Sequence, residues 1–242
     1  MTNEATYSTL GKSREQVESE TRGAPTCIIP ARKGSKRLKG KNKLKIQGVT
    51  LVEHAIQVAR ASKVFARKNI IVSSDDEEIL EIAYDSNVGV HKRPAVLARD
   101  TAQIKHVCKQ ILLARTASDV FCVLNPSCIG RQPIDIVESY RLLFDDKANY
   151  VMSVQPFYPQ NALLKEGKYL KPVDEEIIER TQKKKKYWKH DGSVLFARTA
   201  IFFVEFSYGF YGSNITPYFM PRPTVDIDTE LDYKYAKALL EV

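Results

Sequence analysis

The sequence predicts a three-layer α/β fold, a mostly parallel sheet covered by helices. Three observations carry this reading. From residue 26 onward, short apolar runs alternate with amphipathic segments of helical period, the rhythm of βαβ units. The 242 residues are 43% apolar, and a chain of this length buries roughly 70–75% of its unfolded surface without needing disulfides or metal. Turn and cap signals also fall between the segments.

Thr26–Pro30 reads as the first strand and Leu51–Ser62 as the first helix. Asn69–Ser73 is a strand, and Ser74-Asp75-Asp76-Glu77 has capping-box spacing ahead of a helix over Asp76–Asn87. A helix near Gln103–Arg115, a strand at Asp119–Leu124, a helix near Pro133–Phe144 and a strand at Tyr150–Val154 continue the pattern. After Gln155 the rhythm breaks into a hairpin around Glu166-Gly167 and a charged arm. Residues 156–190 therefore form an extension of the kind that makes an interface or a lid. The core pattern returns with Ser193–Ala197, an aromatic-rich stretch to Phe219, a strand at Pro223–Ile227 and a closing helix at Glu230–Leu240. Residues 1–24, rich in Ser, Thr and Glu without apolar period, read as a disordered leader before one domain over residues 25–242.

No window approaches the ~20 apolar residues of a membrane span, and the start lacks a secretory signal, so a cytoplasmic protein without a membrane partner is expected. Cys27, Cys108, Cys122 and Cys128 form no metal or disulfide spacing and read as buried thiols. His54, His91, His106 and His190 lack metal-ligand spacing as well. The net charge of +8 is matched by the eight Lys/Arg of residues 32–45 alone. A second cluster, Arg180 with Lys183–Lys186 and Lys189, is offset by nearby acids. Two local anion sites fit this distribution better than a nucleic-acid face does. An RNA-binding protein stacking bases on Phe202–Phe219 is the alternative from a different class.

In IIPARKGSKRLKGKNK an apolar strand runs straight into a loop of glycines, cations and small polar donors. In a parallel sheet that loop opens into the ligand crevice, where a polyphosphate would sit. Walker A fails, because five residues separate Gly34 from Gly40 and Asn42 follows Lys41, and GxGxxG is absent. The competing reading is a solvated basic loop. Asp226 and Asp228 project to one face of a strand, and two adjacent carboxylates suit Mg²⁺ bridged to nucleotide phosphates. The alternative for Asp228 is a cap on the closing helix, while Glu230 and Asp232 read as first-turn acids. Asp75 and Asp76 read as cap candidates with no chemistry assigned.

Ile29-Pro30-Ala31-Arg32, Gly34-Ser35-Lys36 and Lys41-Asn42 resemble the IPARxGSKxxxxKN signature of the acylneuraminate cytidylyltransferases, the CMP-sialic acid synthetases and their relatives. The resemblance continues through IIVSSDDEEILEIA (70–83), RPAVLARDTA (93–102), HDGSVLF (190–196) and VDIDTELDYKYAKALL (225–240). It implies a nucleotide-diphospho-sugar transferase (Rossmann-like) type of sheet with a small dimerisation extension. It also implies a CTP site of Arg32, Ser35, Lys36, Lys41, Asn42, Arg93, Ala98, Asp100 and Thr101, and Mg²⁺ on Asp226 and Asp228. Residues 123–132, VLNPSCIGRQ, depart from the usual LQPTSPLR: Asn125 stands for Gln and Cys128 for Ser. Asn125 keeps the amide with one methylene less reach. Arg131 either pairs with the acceptor carboxylate or caps an element. Arg180, on the arm, is placed by the resemblance at a neighbouring subunit's sugar site in a homodimer.

The implied reaction is nucleotidyl transfer from CTP to a nine-carbon 2-keto-3-deoxy sugar acid, with Arg32, Lys36, Lys41 and Asp228 as the catalytic set. Alternatives within the same fold are an enzyme for 3-deoxy-manno-octulosonic acid and a catalytically silent paralogue.

Overall fold

The computed structural model describes residues 24–114, 118–157, 163–166, 169–172 and 187–241. In chain order the first elements are β1 (Thr26–Pro30), β2 (Lys45–Ile46), β3 (Val49–Thr50), α1 (Leu51–Ala61), β4 (Ile70–Ser74), α2 (Glu77–Asp85) and β5 (Gly89–Lys92). Next come α3 (Ala95–Ala98), α4 (Ile104–Leu113), β6 (Val120–Val123), β7 (Cys128–Ile129), α5 (Pro133–Asp145), β8 (Tyr150–Phe157), β9 (Leu163–Glu166) and β10 (Tyr169–Pro172). The chain closes with β11 (Tyr187–Arg198), α6 (Thr199–Val204), β12 (Ile215–Phe219), β13 (Val225–Asp226) and α7 (Glu230–Glu241).

Seven strands form the main sheet in the order β12-β8-β11-β6-β1-β4-β5. All neighbours are parallel except β11, which runs antiparallel to both β6 and β8. The expected fold class is therefore the observed one. Alternation along the central strands divides the core in two. Cys27, Ile29, Ile70, Val72, Val120 and Cys122 face α1, α2 and α5. Ile28, Ile71, Phe121 and Val123 face α4 and α6 on the other side. Because both faces are covered, β1, β4 and β6 read in sequence as mostly apolar runs, with Ser73 and Ser74 buried at the end of β4. All four cysteines are buried free thiols.

The first helix starts with a capping box, in which Thr50 and Glu53 satisfy each other's backbone N–H. At α2 the expected box over 74–77 gives way to Asp76 as N-cap, its carboxylate accepting from Glu78 N. Ser74 Oγ instead accepts from Asp76 N and donates to Ala31 O at 2.5 Å, holding the end of β1 to β4. Two edge strands, β5 and β12, were not apparent in the sequence. Their half-exposed pattern lacks an apolar run, and pairing with β4 and β8 defines them. The expected strand Pro223–Ile227 shortens to β13, which pairs with β7 outside the main sheet. The β8 and β11 strands outrun their apolar cores because they pair with each other from Tyr187↔Phe157 onward.

The hairpin expected around Glu166-Gly167 is present as β9 and β10, antiparallel with Tyr169 opposite Glu166. Arg180 and Lys183–Lys186 lie outside the described residues, as does the leader up to residue 23. Among the described residues no helix is long and apolar enough to cross a membrane.

The β12 edge is fastened by Asp135 on α5, a fully buried carboxylate. It accepts from Tyr218 Oη (2.9 Å), Arg222 Nη1 (2.5 Å) and Gln132 N (2.7 Å). Removing it strands a tyrosine hydroxyl and a guanidinium. Asp135→Ala is expected to cost about 3 kcal/mol, read as a lower urea midpoint with an unchanged slope.

Candidate active site

The carboxyl ends of β1 and β6 open into a cavity of about 570 Å³. The strand order reverses at this boundary: β4 and β5 lie on one side of β1, and β6 is reached only after a return across the sheet. Loops leaving two such strands diverge, and the gap between them is where α/β folds bind ligands.

One wall is the 31–44 loop. Gly40 adopts φ 64°, a left-handed conformation that favours glycine, and starts the tight turn Lys41–Lys43. Asn42 is buried and donates Nδ2 to Arg32 O at 2.9 Å, closing the loop on itself. Lys33 N donates to Asp75 Oδ1 (2.7 Å), and Lys43 Nζ reaches Asp76 Oδ2 (3.1 Å) and Glu78 Oε2 (3.0 Å). These ties hold the loop to the start of α2. They leave Arg32, Ser35, Lys36, Arg37 and Lys41 lining the cavity.

Arg93 and Asp100 stand beside this loop. Arg93 is buried, donating Nη2 to Ser73 O (2.9 Å) and Nε to Ser73 Oγ (3.1 Å). Burial lowers its pKa, partly countered by Asp75. Asp100 accepts from Lys36 and Arg32, each at 2.7 Å, and these two cations hold its carboxyl below the usual range. Ala102, Ile104 and Val107 supply an apolar surface next to these charges. Ala98 and Thr101 belong to the same segment but do not line the cavity.

The opposite wall carries Asn125, Pro126, Ser127, Asp226 and Asp228. Val225 and Ile227 are buried, so Asp226 and Asp228 both project outward. Ser127 Oγ donates to Asp226 Oδ1 at 2.6 Å, while Asp228 accepts from Arg37 Nη2 (2.8 Å) and Lys41 Nζ (3.1 Å). Asp228 does not cap α7. Thr229 and Asp232 do so, Asp232 Oδ2 accepting from Thr229 N (2.7 Å) and Asp228 N (3.0 Å). Among the described residues no group of three or more His, Cys, Asp or Glu could hold a metal by itself. Two carboxylates at the rim of a cationic cavity are a donor set that would suit Mg²⁺.

The structure thus brings ten expected residues to one cavity: Arg32, Ser35, Lys36, Lys41, Asn42, Arg93, Asp100, Asn125, Asp226 and Asp228. Arg131 is placed elsewhere. It is 2% exposed and lies behind Asn125, donating to the backbone carbonyls of Asn125 and Ser193 rather than lining the cavity. Sequence reasoning missed Arg37 and Ser127. Arg37 was hidden among the eight cations of its loop, and only the fold distinguishes it by turning it toward Asp228.

Comparison with known proteins agrees with this geometry. The cytidylyltransferase family matches residues 26–241. A CMP-N,N'-diacetyllegionaminic acid synthase from Legionella pneumophila is 29% identical over 230 residues, covering 89% of this chain and 96% of that protein. A pseudaminic acid cytidylyltransferase from Campylobacter jejuni is 29% identical over 229 residues, covering the same shares. Among solved structures, a CMP:2-keto-3-deoxy-manno-octonic acid synthetase complexed with CTP superposes with a TM-score of 0.66 at 18% identity. That alignment covers 90% of this chain and 99% of that one.

His54, on α1, supplies a pH test of the region beneath the site. Burial, reinforced by the positive charge of Arg131, lowers its pKa from 6.5 to about 4. The unfolded chain therefore binds the extra proton between pH 6.5 and 4, and stability falls as pH drops through that window. The His54 contribution lost there is about 3 kcal/mol. Urea titrations at pH 7, 5.5 and 4.5 should show His54→Leu losing less stability with acid than the wild type, by roughly that amount.

Proposed function

The chain belongs to the cytidylyltransferase family, and we propose that it transfers the cytidylyl group of CTP to a nine-carbon 2-keto-3-deoxy sugar acid of the sialic type. The observation that carries this reading is the cavity in which the phosphate-loop cations face Asp226, Asp228 and the Asn125 loop. One wall suits a triphosphate and the other an acceptor hydroxyl approaching it. The anomeric hydroxyl attacks the α-phosphorus, the new P–O bond forms as the bond to pyrophosphate breaks, and the hydroxyl proton passes to solvent water.

In-line displacement at phosphorus depends mainly on positioning and charge neutralisation. Arg32, Lys36 and Lys41 bear on the triphosphate, with Ser35 and Asn42 as small donors. Arg37 joins them, since it shares Asp228 with Lys41. Arg93, Asp100 and the neighbouring Ala98 and Thr101 form the nucleoside side. Asp226 and Asp228 would hold Mg²⁺, which when bound supplies charge neutralisation at the phosphates. Asn125 meets the sugar acid.

A homodimer through the 156–190 extension is part of the proposal, with Arg180 reaching the partner's acceptor side. Phe157, Trp188 and Phe219 support it. They are exposed at the base of the extension, Trp188 and Phe219 4.4 Å apart between ring centroids, as apolar surface that a second copy would cover. Residues 1–24 are proposed as a leader outside the catalytic domain.

Pyrophosphate release should require CTP among the nucleoside triphosphates, Mg²⁺, and one member of a panel of eight- and nine-carbon 2-keto-3-deoxy acids. Release with an eight-carbon acid alone would shift the acceptor to the octulosonic type. CTP binding without release for any acid would indicate a silent paralogue. Asp228→Ala is expected to fold normally, because its carboxylate is partly exposed, and to lose about a hundredfold or more in kcat. Lys36→Ala should raise the KM for CTP about tenfold and leave the acceptor KM unchanged, the loss of one charge-assisted phosphate contact.

A further inference from the structure

Among the described residues Arg131, a buried cation, has no hydrogen-bonded carboxylate. Its Nη1 donates to Ser193 O, Nη1 and Nη2 each lie 3.4 Å from Asn125 O, and Nε has no partner among them. Asp191 acts on it only through space, and burial lowers its pKa. Enclosing a guanidinium on these terms costs free energy that two carbonyls return only in part. The two carbonyls belong to the segments that meet behind the acceptor wall.

Those segments are already in close contact. Register shifts between His190 and Leu195 make a bulge in β11, where Gly192 adopts φ +79°. A Cβ on Gly192 would come within 2.8 Å of Cys128 Sγ and 3.2 Å of Asn125 Nδ2. Cys128 Sγ also donates to Asp191 O at 3.4 Å. The bulge thus lies beside the Asn125 side chain, and Arg131 donates to the Asn125 carbonyl from behind. Asn125 itself lines the cavity.

We propose that Arg131 is a positioning residue for the acceptor: it fixes the Asn125 amide by binding Asn125 O and Ser193 O together, and it does not touch the substrate. This rests on the cytidylyltransferase reading and replaces direct pairing of Arg131 with the acceptor carboxylate. If Arg131 works only through Asn125, removing both side chains costs no more than removing Asn125 alone, whereas direct pairing makes the two losses add.

The test uses the full chain with CTP, Mg²⁺ and whichever of sialic, legionaminic or pseudaminic acid supports pyrophosphate release. Asn125→Ala, Arg131→Met and the double variant are compared for acceptor KM, kcat and CTP affinity. Arg131→Met should raise the acceptor KM about tenfold and leave CTP affinity unchanged, with the double variant matching Asn125→Ala. Arg131→Lys, which reaches one carbonyl instead of two, should fall between wild type and Arg131→Met, and it serves alone if the Met variant does not fold. Additive losses, or an unchanged acceptor KM in a folded Arg131 variant, overturn the proposal while the cytidylyltransferase reading stands. A wild-type chain that does not bind CTP overturns both.

Discussion

The site depends on the parallel pairing of β1 with β4 on one side and β6 on the other. Cys27 and Ile28 stand opposite residues of both neighbours, so the registers of the three strands are mutually fixed. Consequently the loops leaving Pro30 and Leu124 start at one level and part in opposite directions. Ala31 N to Ser73 O (2.9 Å) and Leu124 N to Ile28 O (3.0 Å) carry the ladder to the edge of the cavity. A slip of one residue would turn alternate core side chains to the other face and displace both walls of the site.

Charge is arranged across this gap in pairs that can be exchanged. Arg32 and Lys36 rest on Asp100, while Arg37 and Lys41 rest on Asp228. Lys36 and Arg37 are largely exposed and weakly held, since solvent screens both partners, whereas Lys41 is mostly buried. In the proposed reaction an incoming triphosphate would compete with the carboxylates for the same cations at modest cost. The cations are meanwhile kept within the cavity rather than dispersed in water, so less ordering remains to be done on binding.

Rigidity comes from partly buried polar ties behind the walls. Asp191 accepts from Ser193 Oγ (2.8 Å), Thr224 Oγ1 (2.6 Å) and Ser153 Oγ. This joins β8 and the β11 bulge to the segment leading into β13. Ile227 N to Ser127 O (3.0 Å) then binds the two acidic positions to the Asn125 loop. Satisfied networks of this kind specify one arrangement, which a purely apolar support would leave free to slide. The wall of Asn125, Asp226 and Asp228 is therefore built on backbone held by polar side chains behind it, in contrast to the exposed Lys36 and Arg37 opposite.

The sequence by itself determined the layer architecture, because strands buried on both faces must be continuously apolar and the covering helices must be amphipathic. It also marked the basic loop and the acidic pair that line the cavity, whose composition is local: Gly, cation and amide types within one loop, and two carboxylates two residues apart. Only the tertiary structure decided which of the eight loop cations turn inward, where the half-polar edge strands β5 and β12 pair, and that Thr229 and Asp232, rather than Asp228, cap the last helix. It also decided the place of Arg131, which reads in sequence as a ligand or a cap and folds as a buried guanidinium donating to two backbone carbonyls. Its partners are carbonyls at positions 125 and 193, and contacts separated by so much chain leave no periodic or compositional trace.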